Sequence, residues 1–121
     1  MHELAITQEI VRGVAEELAK LPAGTKLNRV SLLVGELTGY VPESLRFCYE
    51  AIVRDSPLAG SVLEIDYRRG RGRCRSCSTE FEIEAAIALC PGCGGLSCEI
   101  LQGKELLITA LDVDEGEGES A

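Results

Sequence analysis

The sequence predicts an α+β fold: two amphipathic helices on one face of a small three-stranded sheet, with a separate module inserted ahead of the last strand. Three observations carry this. Apolar residues recur at helical spacing twice and alternate at strand spacing between and after, in the order helix, strand, helix, strand, module, strand. No β-α-β repeat fills the chain, so helices gathered on one face of a sheet are the economical packing. Between the second strand pattern and the last lie four cysteines in two pairs, Cys74-Arg75-Ser76-Cys77 and Cys90-Pro91-Gly92-Cys93, with twelve residues between the pairs.

The elements follow in order. Leu4, Val11, Val14 and Leu18, with Ile10 and Leu21 beside them, predict a helix over about 4–20, with Glu9, Arg12, Glu16 and Glu17 largely on the other face. Pro22 stops it. Val30, Leu32 and Val34 on one side alternate with Arg29 and Ser31 on the other in a half-buried strand over 26–34. Gly35-Glu36-Leu37-Thr38-Gly39 then leads to Pro42, suited to the first turn of a second helix over 42–55 with Leu45, Cys48, Tyr49 and Ile52 on one face. In a strand over 62–68, Leu63, Ile65 and Tyr67 are expected to face inward. After the module, 98–101 and 106–113 return as strand around Gly103. The expected domains are 1–69 with 97–113, and 70–96. Residues 114–121 form an acidic, glycine-rich tail expected to be disordered.

A C-x₂-C pair bends the backbone so that both sulfurs face one centre, and two pairs make the tetrahedron of a closed zinc site. Zinc ligation is therefore expected at Cys74, Cys77, Cys90 and Cys93, in a zinc-ribbon-like domain. Two disulfides, or four scattered core cysteines, are the bland alternatives. Iron takes the same spacing in sites packed with aromatics, but this chain has three Tyr, two Phe and no Trp. The formal charge of −8 argues against general nucleic-acid binding, the cluster Arg68, Arg69, Arg71, Arg73 and Arg75 being the local exception. No apolar stretch is long enough to span a membrane, and the start has no signal-peptide pattern. Reduced, metal-binding cysteines without an export signal place the chain in the cytoplasm.

His2 is the one histidine. It reads either as a polar residue at a frayed end or as a chelator. The α-amine of Met1, the His2 amide nitrogen and its imidazole close adjacent rings on one ion, and strong nitrogen donors suit square-planar Ni²⁺ or Cu²⁺. Glu3 supplies a further amide nitrogen and a carboxylate. The site requires a free Met1 amine, and bulky His2 is expected to hinder loss of the initiator Met.

Met1-His2-Glu3-Leu4, Gly35-Glu36-Leu37, Val41-Pro42-Glu43-Ser44-Leu45-Arg46-Phe47 and the paired cysteines together resemble the HypA/HybF family of hydrogenase nickel-insertion chaperones, over about residues 1–113. The resemblance implies a nickel-binding domain of two helices on a small sheet, with a zinc domain inserted through two strands. It implies Ni²⁺ held by the Met1 amine, the His2 backbone and imidazole and the Glu3 backbone, and zinc held by Cys74, Cys77, Cys90 and Cys93. It also implies two partners, a HypB-type nickel GTPase and the large-subunit precursor of a nickel–iron hydrogenase. Some members carry a histidine beside each knuckle; here Ser78 and Gly94 stand there, so a histidine switch at zinc is not expected.

No nucleophile–base pair or phosphate loop is present, so the chain is not expected to be an enzyme. A monomer or weak homodimer, with no nucleic-acid or membrane partner, completes the reading. Two other classes compete: a zinc-ribbon module docking on nucleic acid or on a transcription or translation assembly through the arginines, and a dithiol redox protein. Cys48 reads as a core residue of the second helix, Cys98 as a core residue or a spare ligand, and Glu36 as a carboxylate without an assigned place.

Overall fold

The computed structural model describes residues 2–83 and 87–115, the side chain of His2 excepted. Met1 therefore lies outside the described residues, as does most of the expected tail, residues 116–121. The elements are α1 (His2–Ala19), β1 (Lys26–Gly35), a 3₁₀ turn (Glu36–Thr38), α2 (Pro42–Val53), β2 (Val62–Arg68), β3 (Arg71–Cys74), β4 (Glu80–Glu82), β5 (Cys98–Gln102) and β6 (Leu106–Asp114). The α+β class holds, with two sheets: β2-β1-β6 and β4-β3-β5. Strand 98–102 belongs to the second sheet, beside the cysteines. Among the described residues no helix is long and apolar enough to cross a membrane.

By its contacts the chain divides into two compact units. One gathers the chain before residue 33, Tyr40–Asp66 and the chain after residue 107; the other holds Leu33–Gly39 and Tyr67–Leu107. The second is wider than the 70–96 segment that the cysteines suggest, because the turn after β1 packs with the strands that carry them.

In the first unit α1 packs on α2. α1 starts earlier than its apolar pattern suggests, at His2, and its buried side is Thr7, Ile10 and Val14, while Leu4 is exposed. Polar Thr7 is tolerated there because its hydroxyl donates to the Glu3 carbonyl one turn back. Gly13 lets Ile108 of β6 approach to 3.8 Å of where a Cβ would stand. α2 buries Leu45, Tyr49 and Val53, and Val30 and Leu32 of β1 and Leu63 of β2 are buried as well. Each such side chain contributes about 1.5–3 kcal/mol on burial. Pro42 opens α2, and the Ser56 hydroxyl closes it on the Val53 carbonyl at 2.9 Å. The Ser61 hydroxyl donates to the Leu58 carbonyl at 2.7 Å, so at 2.6 Å the buried Tyr49 hydroxyl is the donor to Ser61. Burial raises the Tyr49 pKa. Tyr67, expected inside, is 42% exposed at the end of β2.

The second unit is built round close backbone approaches. A Cβ on Gly35 would stand 2.1 Å from the Gly103 carbonyl, and Gly103 itself has φ +125°. Gly35 N–H donates to the Glu105 carbonyl and Leu37 N–H to the Gly103 carbonyl, both at 2.8 Å. Leu37 fills the space left by the missing side chains of Gly70 and Gly103. Glu36 finds its place here: its carboxylate accepts the Gly70 N–H at 2.7 Å and pairs with Arg69 at 3.6 Å. Its role is to tie the turn to the start of β3.

Candidate metal centre

Each cysteine pair forms the same local loop. Ser78 N–H donates to the Cys74 carbonyl and Gly94 N–H to the Cys90 carbonyl, both at 2.9 Å. The residue closing each loop is left-handed, Ser78 at φ 66° and Gly94 at φ 75°. Glycine takes that path freely and serine at a cost, so the second loop is legible in the sequence and the first is hidden behind a serine. β3 delivers Cys74 at its end, where β4 and β5 pair antiparallel on either side.

The four sulfurs of Cys74, Cys77, Cys90 and Cys93 all lie within 4.8 Å of one another. Cys74 and Cys93 are 3.6 Å apart, Cys77 and Cys90 3.5 Å. A tetrahedron with Zn–S bonds of about 2.3 Å has edges of about 3.8 Å, so the set fits zinc. A Cβ on Gly95 would stand 3.3 Å from the Cys93 sulfur, so the backbone itself wraps the site. Gly92 and Cys93 N–H groups donate to the Cys90 sulfur at 3.3 and 3.4 Å. A core of Cys74, Phe81, Ile83 and Cys90 lies beneath.

The electrostatics call for a cation. The Cys77 thiol is lowered to about 6, first by the Thr79 hydroxyl, 3.1 Å away, and then by the Thr79 N–H. Backbone N–H groups of Cys77 and Ser76 lower Cys74. At Cys93 the Gly95 N–H pulls downward, but the neighbouring sulfurs of Cys74, Cys90 and Cys77 outweigh it and push the thiol up to about 12. Four thiolates cannot share one shell without a positive charge at its centre, and a divalent ion removes the conflict.

Cys98 lies against this centre, packed on Cys74 and Cys90, with burial and those two sulfurs raising its pKa. The arginines expected as a basic patch are engaged. Arg69 meets Glu36 and Glu82, Arg73 meets Glu80 and Glu99 at 3.0 and 3.4 Å, and Arg75 donates to the Cys98 carbonyl.

At the other end of the chain, Glu3 sits in the first turn of α1. Its carboxylate accepts the Val41 N–H at 3.3 Å. It borders a cavity of about 320 Å³ with Leu4, Glu43, Ser44, Phe47 and Cys48. Cys48 is thus half-buried at a cavity wall rather than sealed in the core. The other nickel ligands expected from the sequence, Met1 and the His2 imidazole, lie outside the described atoms. Thr79 is the site residue that the sequence reading missed, although it lies only two residues past Cys77; Cys98, read as a core residue or a spare ligand, is put beside Cys74 by the pairing of β3 with β5.

A family model described as "Hydrogenase/urease nickel incorporation, metallochaperone, hypA" matches residues 1–113. A hydrogenase maturation factor HypA of Geotalea uraniireducens (strain Rf4) is 40% identical over 114 residues, 94% of this chain and 100% of that one. A HypA of Chlorobium luteolum (strain DSM 273 / BCRC 81028 / 2530) is 40% identical over 119 residues, 98% of this chain and 100% of its own length. The solution structure of the Ni metallochaperone HypA from Helicobacter pylori shares the fold, with a TM-score of 0.63 at 22% identity over 93% of this chain and 97% of that one.

Proposed function

The chain belongs to the HypA family of hydrogenase maturation factors and nickel metallochaperones, and on that premise we propose that it carries Ni²⁺ at its N-terminus to a nickel–iron hydrogenase precursor. The nickel ligands are the Met1 α-amine, the His2 amide and imidazole, and the Glu3 amide. The observation that carries this reading is where α1 begins. The first N–H groups of a helix have no acceptor within it. With α1 starting at His2, the His2 and Glu3 amides can lose their protons to nickel without breaking a helical hydrogen bond. The Glu3 carboxylate, held by Val41 N–H, anchors that first turn while its amide is drawn to the metal. Square-planar nitrogen donors favour Ni²⁺ over Zn²⁺, and a site at a chain end is readily opened for transfer. Protonation of the His2 imidazole weakens it in acid.

Zinc, held by Cys74, Cys77, Cys90 and Cys93, is structural: a closed Cys₄ set offers no position for substrate. Residues 70–96 act as the zinc-binding part, and 1–69 with 97–113 as the nickel-binding part. A HypB-type nickel GTPase is the partner that supplies or receives nickel, in the cytoplasm, and the chain acts as a monomer or weak homodimer. Docking on nucleic acid is disfavoured because Arg69, Arg71 and Arg73 face carboxylates and Arg75 a carbonyl.

A Ni²⁺ titration of zinc-loaded protein tests the proposal, followed by calorimetry and optical absorption. One nickel per chain with a diamagnetic square-planar spectrum is expected, lost both in His2→Ala and in a chain extended by residues before Met1. Nickel binding unchanged in both would move the site elsewhere.

A further inference from the structure

Cys98 is the fifth sulfur of the zinc unit, and nothing in the Cys₄ centre uses it. Its position follows from strand register. β3 and β5 are antiparallel, with Cys74 directly opposite Cys98 and Arg73 opposite Glu99. One residue on, Arg75 N–H donates to the Ser97 carbonyl at 2.9 Å, which marks 75 and 97 as a hydrogen-bonded pair. Pairs alternate along an antiparallel ladder, so Cys74 and Cys98 are a non-hydrogen-bonded pair. The Cys74 N–H confirms it, pointing the other way to the Thr79 carbonyl beside β4. In such a pair the Cα atoms are about 4.5 Å apart and the side chains rise together on one face. That separation lies within the roughly 4.4–6.8 Å range that a disulfide spans.

We propose that Cys98 makes the zinc centre oxidant-sensitive: peroxide joins Cys74 to Cys98, and zinc is ejected. Hydrogen peroxide converts one sulfur of the pair to a sulfenic acid and is reduced to water. The other sulfur then attacks it. The S–O bond breaks, the S–S bond forms, and the hydroxyl departs with a proton as a second water. Two thiols and one peroxide thus give one disulfide and two waters. Cys74 can then no longer act as a thiolate ligand, and three remaining thiolates hold zinc less tightly.

This pair is favoured over bonds among the four ligands because of what positions each sulfur. Cys77, Cys90 and Cys93 ride on knuckle loops whose sulfurs converge on the metal. Cys74 and Cys98 are held opposite each other by the backbone ladder while the metal is still bound. Cys98 is partly exposed, whereas Cys74 is buried, so the oxidant has an approach to the pair.

The test uses the full zinc-loaded chain with hydrogen peroxide. Zinc release is followed with a chromogenic chelator, free thiols are then alkylated, and linked peptides are mapped by mass spectrometry. The expected result is one Cys74–Cys98 peptide pair formed per zinc released, reversed by dithiothreitol with added zinc. Cys98→Ser should bind zinc as before yet release it several-fold more slowly under peroxide, and Cys48→Ser should behave as the unaltered chain. Mapping on the unaltered chain decides the matter even if Cys98→Ser fails to fold. Linkage confined to Cys74–Cys77, Cys90–Cys93, Cys74–Cys93 or Cys77–Cys90 would overturn the proposal, as would zinc release from Cys98→Ser at the unaltered rate.

Discussion

Among the four sulfurs, the hydrogen-bonding surroundings of each decide its chemistry more than its exposure does. Cys77 and Cys93 are both exposed, yet one is lowered to about 6 and the other pushed up to about 12. The difference is the Thr79 hydroxyl, which donates to Cys77, against the crowd of sulfurs around Cys93. In metal-free protein at pH 7, Cys77 is therefore mostly thiolate and is alkylated before Cys93. Thr79→Val should slow Cys77 alkylation at pH 7, read by mass spectrometry of iodoacetamide-treated protein, because its pKa rises back toward 9. Equal rates in the two proteins would show that the hydroxyl is not the cause. A folded pKa below the unfolded value stabilises the metal-free fold fully above about 9, and that contribution is lost as pH falls through about 6. Cys93 must give up its proton to zinc, so zinc affinity falls with falling pH.

Along the elements, tight places are set by backbone meeting backbone. The end of β1 passes so close to Gly103 that Gly35 has no room for a methyl group, at 2.1 Å. Gly60 has a left-handed φ of 89° but open space around it. Gly35→Ala should therefore lose more stability than Gly60→Ala. Strain at a left-handed position costs about 1–2 kcal/mol, and displacement of packed backbone adds to the roughly 1–3 kcal/mol of ordinary overpacking. Urea unfolding of both variants checks the order; the reverse order would mean that the turn at Gly103 yields freely. Sequence periodicity had limited reach at this scale. It located both helices and the strands of the first sheet, because one side of each is buried. It set α1 two residues late, since its deepest buried positions include polar Thr7 rather than Leu4. β3 is short and rich in charge, and the brief alternation Glu80-Phe81-Glu82-Ile83 lies inside the cysteine module; of the second sheet only the strand at 98–101 is legible as strand.

Over the whole chain, the two compact units differ in what holds them. The first owns a core drawn from two helices and two strands, with Val14, Val30, Leu45 and Tyr49 fully buried. The second has a small core of Cys74, Phe81, Ile83 and Cys90, two of whose members belong to the Cys₄ set proposed to hold zinc. Zinc bound there would therefore supply a larger part of its stability. Chelating the zinc should leave the helical circular-dichroism signal of α1 and α2 in place, while hydrogen exchange over residues 67–107 accelerates. Loss of both together would show the units to be one cooperative body.

Read as a string, the chain already specified its metal chemistry: four cysteines at C-x₂-C spacing can converge with little help from the rest of the fold, because each loop is closed by its own local hydrogen bonds. The nickel ligands proposed at Met1, His2 and Glu3 are equally local, three consecutive residues whose donors are adjacent along the backbone. Folding settled the contacts between residues distant in the chain. Cys98 stands opposite Cys74, Glu36 caps the Gly70 amide, Arg69 faces Glu82, and Arg73 of β3 faces Glu80 and Glu99. These pairings depend on strand register, which shifts between Arg71 and Gly72, and no local pattern of residues carries that information.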